Sequence, residues 1–178
     1  MLGFLFNACE KFPANPEYPY NMRMTDASAS YDAVYIDVQG VELIGKNWQA
    51  ILMNPNAGIY NLLDFSNGKD TVIASFITVF STIRQIRLIL GPRNSVVIDS
   101  VSYPLSFPVK NYEGLKLQVS QVLLPGTQNS FLLDFDANKS IVNNGNGKYT
   151  LNPVMREINP SSGRISGNIS LLNRFPSK

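Results

Sequence analysis

"RQIRLILGPRNSVVID", residues 84 to 99, decides how this chain is read. Ile86, Leu88 and Leu90 alternate with Arg87 and Ile89, the two-residue period of a strand with at least one buried face. "GPRN" (91–94) then supplies turn residues, and "SVVID" (95–99) resumes a β-branched run. The stretch is therefore predicted to be a β-hairpin. Arg84 and Arg87 lie three apart and so face opposite sides of the strand. Arg87 falls off the Ile86/Leu88 face and is expected to be solvated or paired.

The same signals extend in both directions. "NMRMTD" (21–26) alternates and reads as a first strand, with the domain beginning near Met22. In "YDAVYIDVQGVELIG" (31–45), Val34, Ile36 and Val38 share a face, and after Gly40 the phase moves to Val41 and Leu43. A phase slip at a glycine marks a β-bulge or a bend between two strands. "WQAILM", "IYNLLDF" and "TVIASFITVF" read as further strands, the last too short to span a bilayer and rich in β-branched residues. "GLKLQVSQVLL" (114–124), the turn "PGTQNS" and "FLLDFD" (131–136) are predicted to form a second hairpin. Leu115, Leu117, Val119 and Gln121 share one face of its first strand. "ANKSIV" is expected to form one short helical turn near 136–142, capped by Asp136. "NNGNG" (143–147) is a turn before a last strand, "KYTLNPVMREI". Short strands, Gly/Pro/Asn turns and almost no helical period predict an all-β fold, an antiparallel β-sandwich of immunoglobulin-like or transthyretin-like kind over residues 22–158.

Composition narrows function mainly by exclusion. Hydrophobic residues make up 44% of the 178, enough for a core, while charged residues are only 16%, well under the usual quarter. Such a low-charge surface suits an extracytoplasmic protein. The net charge of +2 comes without a Lys/Arg cluster, so the electrostatic footprint of a nucleic-acid binder is missing. There is no histidine, which removes the commonest general base and metal ligand. A single cysteine allows neither an internal disulfide nor a cysteine-rich zinc site. "GNGKY" is too short for a phosphate loop, and no GxSxG, zinc or kinase signature occurs. The expectation is a protein that is not an enzyme and carries no cofactor.

Three groups of residues remain as site candidates. Asp134 and Asp136, at i and i+2 of a strand, share a face. Two such carboxylates would hold Ca²⁺ or form half of a glycosidase pair. The plainer reading has Asp136 capping the helical turn and Asp134 bonding an amide or a basic side chain. Trp48, with Tyr31 and Tyr35, would stack on a sugar ring; a lone tryptophan in a small β-domain is more often a core anchor. Cys9 is the third. Residues 1–8, "MLGFLFNA", are apolar and end in a small residue, and residues 9–21 form a proline-rich tether. Phe6 at −3 and Ala8 at −1 approximate the signal that directs diacylglyceryl transfer to a cysteine sulfur. The alternative is a free thiol in an unstructured tail. Residues 1–8 read as the remnant of a lipoprotein signal peptide lacking its basic start, so the coding frame is expected to continue upstream.

In the order "QIRLILG", "VSYPL", "GLKLQV", "LLDFDANKSIV" and "GNGKYTLNPVMR", with "YDAVYIDVQGVEL" and "GIYNLLDFSNG" before them, the chain resembles the domain of unknown function numbered 4382, over about residues 22–157. "VFS" (79–81) and Arg84 depart locally from that pattern. The resemblance implies a bacteroidete-type envelope lipoprotein: a secreted, non-catalytic β-domain held by acyl chains on Cys9, with a structural, adhesion or partner-binding role. An envelope protein or a glycan would be its partner, and Glu10 after the cysteine favours the outer membrane. A calcium- or glycan-binding surface protein is the alternative. "SSGRISGNISLLN" (161–173) resembles the first strand of a carboxypeptidase-regulatory-like module, so residues 159–178 are expected to be a tail from a truncated second β-domain.

Overall fold

The computed structural model describes residues 16–158, apart from residues 28, 54–55 and 109–113. Cys9, the expected signal-peptide remnant (1–8), most of the expected tether (9–21) and the expected tail (159–178) lie outside the described residues.

Strand β1, Tyr18–Thr25, starts four residues before the expected Met22. It lies inside a four-stranded sheet, between β5 (Thr71–Thr78) and β10 (Asn129–Phe135), with β13 (Met155–Ile158) beyond β10. Tyr20, Met22 and Met24 all point inward and are fully buried. Their two-residue period carries β1 into the core, whatever the proline content around it.

The second sheet is built around β2, Ala33–Gly45. On one side of β2 run β4 (Gly58–Asn61) and β3 (Ala50–Met53). On the other run β7 (Ser95–Ile98) and β6 (Thr82–Leu90). Beyond β6 lies β9 (Leu115–Val122), and beyond β7 lie β8 (Val101–Ser106), β12 (Tyr149–Leu151) and β11 (Ile141–Asn143) in turn. Val34, Ile36 and Val38 are buried, then Val41 and Leu43. The register against β6 slips between Val38 and Gly40, so the expected bulge is present. It leaves Gln39 unopposed there, and a Cβ on Gly40 would sit 3.2 Å from Ile89 Cδ1.

The all-β sandwich is therefore what forms, with corrections to its connections. Residues 84–99 are not a hairpin. β6 and β7 run in the same direction, both antiparallel to β2, with Leu90 opposite Val38 and Ser95 opposite Tyr35. "GPRN" is an excursion between two collinear strands. Its cause is Asp37, a fully buried carboxylate that needs partners. Arg93 supplies them, Nε at 2.9 Å to Oδ2 and Nη2 at 3.0 Å to Oδ1, while Asn94 Oδ1 accepts from the Asp37 amide at 2.9 Å. The true hairpin here joins β7 to β8 through Asp99 and Ser100, with φ of 50° and 64°, as a type I′ turn requires.

Residues 114–136 are not a hairpin either: β9 pairs with β6 and β10 pairs with β1, so the chain crosses between sheets. The two sheets are mixed rather than purely antiparallel, because β1–β10 and β8–β12 are parallel. "IYNLLDF" divides into β4 and a 3₁₀ turn, Leu62–Phe65. "KYTLNPVMREI" divides into β12 and β13, one in each sheet. The short helix α1, Ala137–Ser140, forms where expected, with Asp136 as its N-cap. Phe131, Leu133 and Phe135 from β10 meet Ile83, Ile86 and Leu88 from β6 in one core.

Candidate functional site

The strand direction of β1 gives the sandwich two poles. At its start, Tyr18 lies opposite Thr78 and Glu17 O accepts from Gly126 N at 3.0 Å. At its end, Thr25 lies opposite Asp134, and Asp26 reaches α1. Eight residues of strand separate the poles by about 25 Å.

The start pole gathers the β2–β3 turn, the β5–β6 turn and the β9–β10 connection. Leu123 N donates to Ser81 O at 2.9 Å. The Phe80 ring lies so close over Gly45 that a Cβ there would be 3.0 Å from it, which seats the 79–82 segment on the 46–49 turn. A cleft of about 260 Å³ results, lined by Lys46, Asn47, Gln49, Val79, Phe80 and Thr82, among others. Trp48 stands at this pole and is 66% exposed. The core-anchor reading is thus wrong. The reason is local: Trp48 N donates to Gly45 O at 3.1 Å and its φ is 61°, the left-handed position that closes a tight turn and normally takes glycine or asparagine. That backbone directs the indole outward, at a cost of about 1–2 kcal/mol for a non-glycine residue. Val122 (74% exposed), Val79 (65%) and Leu124 (63%) share the pole, as does the exposed Ile77.

Tyr31 and Tyr35 do not join Trp48. Tyr35 sits near the far end of β2, ten residues from Gly45, about 30 Å along the strand. Tyr31 precedes β2 and packs against the core. The expected aromatic trio is not assembled.

The end pole is acidic. Asp134, on β10, is buried and takes Arg156 Nε and Nη2, both at 2.7 Å, on Oδ2. Asp136 accepts from Lys139 N at 3.0 Å and from Lys139 Nζ at 2.6 Å. Burial pushes its pKa up, but those Lys139 bonds outweigh burial and hold it below the ordinary carboxylate value. Each aspartate thus has the bland partner foreseen for it. Asp136 leaves the strand to cap α1, so the two carboxylates do not form one calcium cradle. Among the described residues no group of three or more acidic, histidine or cysteine side chains is placed to hold a metal ion.

Sequence reading missed Asp26, which completes this pole. Its Oδ1 accepts from Ala137 N at 2.8 Å, and its Oδ2 is buried without a partner, as is Asp134 Oδ1. Burial first, and the negative charges of Asp134 and Asp136 next, push Asp26 up to about 6 against the pull of the Ala137 amide. Thr25, Asp26, Asn67, Asp134 and Arg156 line a polar cleft of about 250 Å³ here. Nothing in "MTDAS" signals a partner 111 residues away; only the parallel β1–β10 pairing brings the two together. Arg87, left open between solvent and a partner, pairs with Glu42 at 2.6 Å. Arg84 is exposed, but it sits where the β6 register slips against both β2 and β9, so the three-residue spacing does not put it on the face opposite Arg87.

No described helix is long and apolar enough to cross a membrane. No curated protein and no solved structure matches the chain. The profile of a domain of unknown function, DUF4382, matches residues 19–153, from the second residue of β1 to just before β13. That span takes in both sheets and α1, and it begins at the strand whose start, not Met22, opens the domain. The chain belongs to the DUF4382 family.

Proposed function

We propose that the protein is a non-catalytic module of the bacterial cell envelope, held to the outer membrane by acyl chains on Cys9 and acting through contacts with a partner rather than through chemistry. The observation that supports this reading is where β1 begins. Tyr18 enters the sandwich at one pole, so a lipid on Cys9 would hold that pole toward the bilayer and turn the acidic pole outward. Several acyl chains on one cysteine anchor stably, where a single chain is marginal. The deciding experiment is mass spectrometry of the N-terminal peptide from membrane fractions, with Cys9→Ala as control. The expected peptide begins at an acylated Cys9 and the variant leaves the membrane. A peptide beginning at Met1 with an unmodified thiol overturns the reading.

One observation favours the glycan alternative. Trp48 is exposed beside a cleft whose lining includes Lys46, Asn47 and Gln49, an aromatic platform next to hydrogen-bonding groups. The test is Trp48 fluorescence against a panel of soluble glycans: a saturable change supports this reading, and an unchanged spectrum removes it.

A further inference from the structure

We infer that the pole carrying Trp48, Val79, Val122 and Leu124 is a membrane-docking surface, which lays the domain against the lipid interface instead of letting it swing on its tether. The inference deepens the anchoring reading and rests on Cys9 as the attachment point. Three observations carry it. The first is composition. Trp48, Val79, Val122 and Leu124 are each more exposed than buried, and they come from the β2–β3 turn, the β5–β6 turn and the end of β9 with the connection after it, which meet at one pole. Aliphatic tips around one indole, with Lys46 beside them, match what sits at a bilayer–water boundary, where tryptophan is enriched and lysine reaches the headgroups.

The second is backbone conformation. Trp48 occupies a left-handed turn position that the fold does not need a tryptophan to fill; the strain presents a large apolar side chain to solvent, and such strain is a pointer to function. The third is reach. Cys9 lies nine residues before Tyr18, so a fully extended segment keeps the start of β1 within about 30 Å of the lipid. This pole is the one the segment enters, and the acidic pole is the farther one. The bilayer is therefore the first surface the apolar tips meet.

The sole tryptophan makes the test direct. The full chain is coupled through Cys9, its only thiol, to a maleimide lipid in phosphatidylethanolamine–phosphatidylglycerol vesicles. This supplies the anchor chemically, so the outcome is separate from whether the cell acylates Cys9. On coupling, Trp48 emission should shift to shorter wavelength and be quenched by brominated acyl chains. Val79→Asp and Leu124→Asp should abolish both effects while the thermal midpoint is unchanged. Emission that stays at its solvent-exposed wavelength and unquenched on coupled protein overturns the inference. So does a shift that appears without vesicles and grows with protein concentration, which assigns the pole to a second copy, or one produced by soluble glycans alone. Coupled protein that passes this test while native Cys9 proves unmodified leaves the docking surface standing and removes the native anchor.

Discussion

Asp26 and Asp37 are both buried aspartates, and their surroundings drive them in opposite directions. Asp37 is held below the ordinary carboxylate value, chiefly by the Arg93 side chain, against the opposing effect of burial. Asp26 is raised to about 6 by burial first and by its acidic neighbours Asp134 and Asp136, against the amides of Ala137 and Ala27, and its Oδ2 has no partner. The sign of each linkage follows from which state binds the proton more tightly. For Asp26 the folded chain does, so its contribution to stability is complete at low pH and falls as pH rises from about 4 to about 6. For Asp37 the contribution is present above the ordinary carboxylate range and is lost in acid. Asp26→Asn should therefore raise the thermal midpoint at pH 7.5 and change it little at pH 4.5; equal shifts at both would show that Asp26 is not protonated on folding. Gly91→Ala addresses the Asp37 site. A Cβ at Gly91 would press into the Asp37 carboxylate and come within 2.9 Å of Gln39 Cγ. Overpacking of that kind costs about 1–3 kcal/mol, read as a lower urea midpoint at constant slope.

At the scale of elements, the β7–β8 hairpin carries a turn that its sequence fits poorly. Asp99 and Ser100 both have positive φ, where Asn-Gly is preferred. Ser100→Gly keeps the backbone bond from Ser100 N to Asp32 Oδ2. It should stabilise the fold by about 0.5–1 kcal/mol by urea denaturation, since strain relief is partly offset by glycine's greater freedom in the unfolded chain. Asp136 tests the other short element. Asp136→Ala removes the cap of α1 together with the partner of Lys139, at a cost of about 0.5–2 kcal/mol. These two elements also show what a sequence reveals. The cap was legible because Asp136 directly precedes the turn it caps. The hairpin was assigned to "GPRN" because Gly and Pro are strong local turn signals. The real turn, "DS", has no glycine, and the loop that does have one is shaped by Asp37, more than fifty residues earlier.

For the whole molecule, the four-stranded sheet depends on β1, which pairs on both edges and buries Tyr20, Met22 and Met24 completely. A chain beginning at Asp26, which lacks β1, should not fold; its circular dichroism melt should lack the cooperative transition of the full protein, and a retained transition would show that β1 is dispensable. Tyr20 also ties the sheets together, its hydroxyl donating to Gln121 Oε1 at 2.7 Å.

The sequence by itself determined the strand content, the buried faces, the bulge near Gly40 and the capped turn at Asp136. All rest on residues within a few positions of one another, where side-chain period and backbone preference act directly. Only the tertiary structure decided which strands pair and what stands at each pole. Residues 84–99 became two collinear strands because β2 offered one continuous edge and Asp37 needed a partner. Trp48 turned outward because its place in a tight turn outweighs the general tendency to bury tryptophan. Asp26 came to Asp134 through a parallel pairing between distant segments, and no local signal encodes such a pairing.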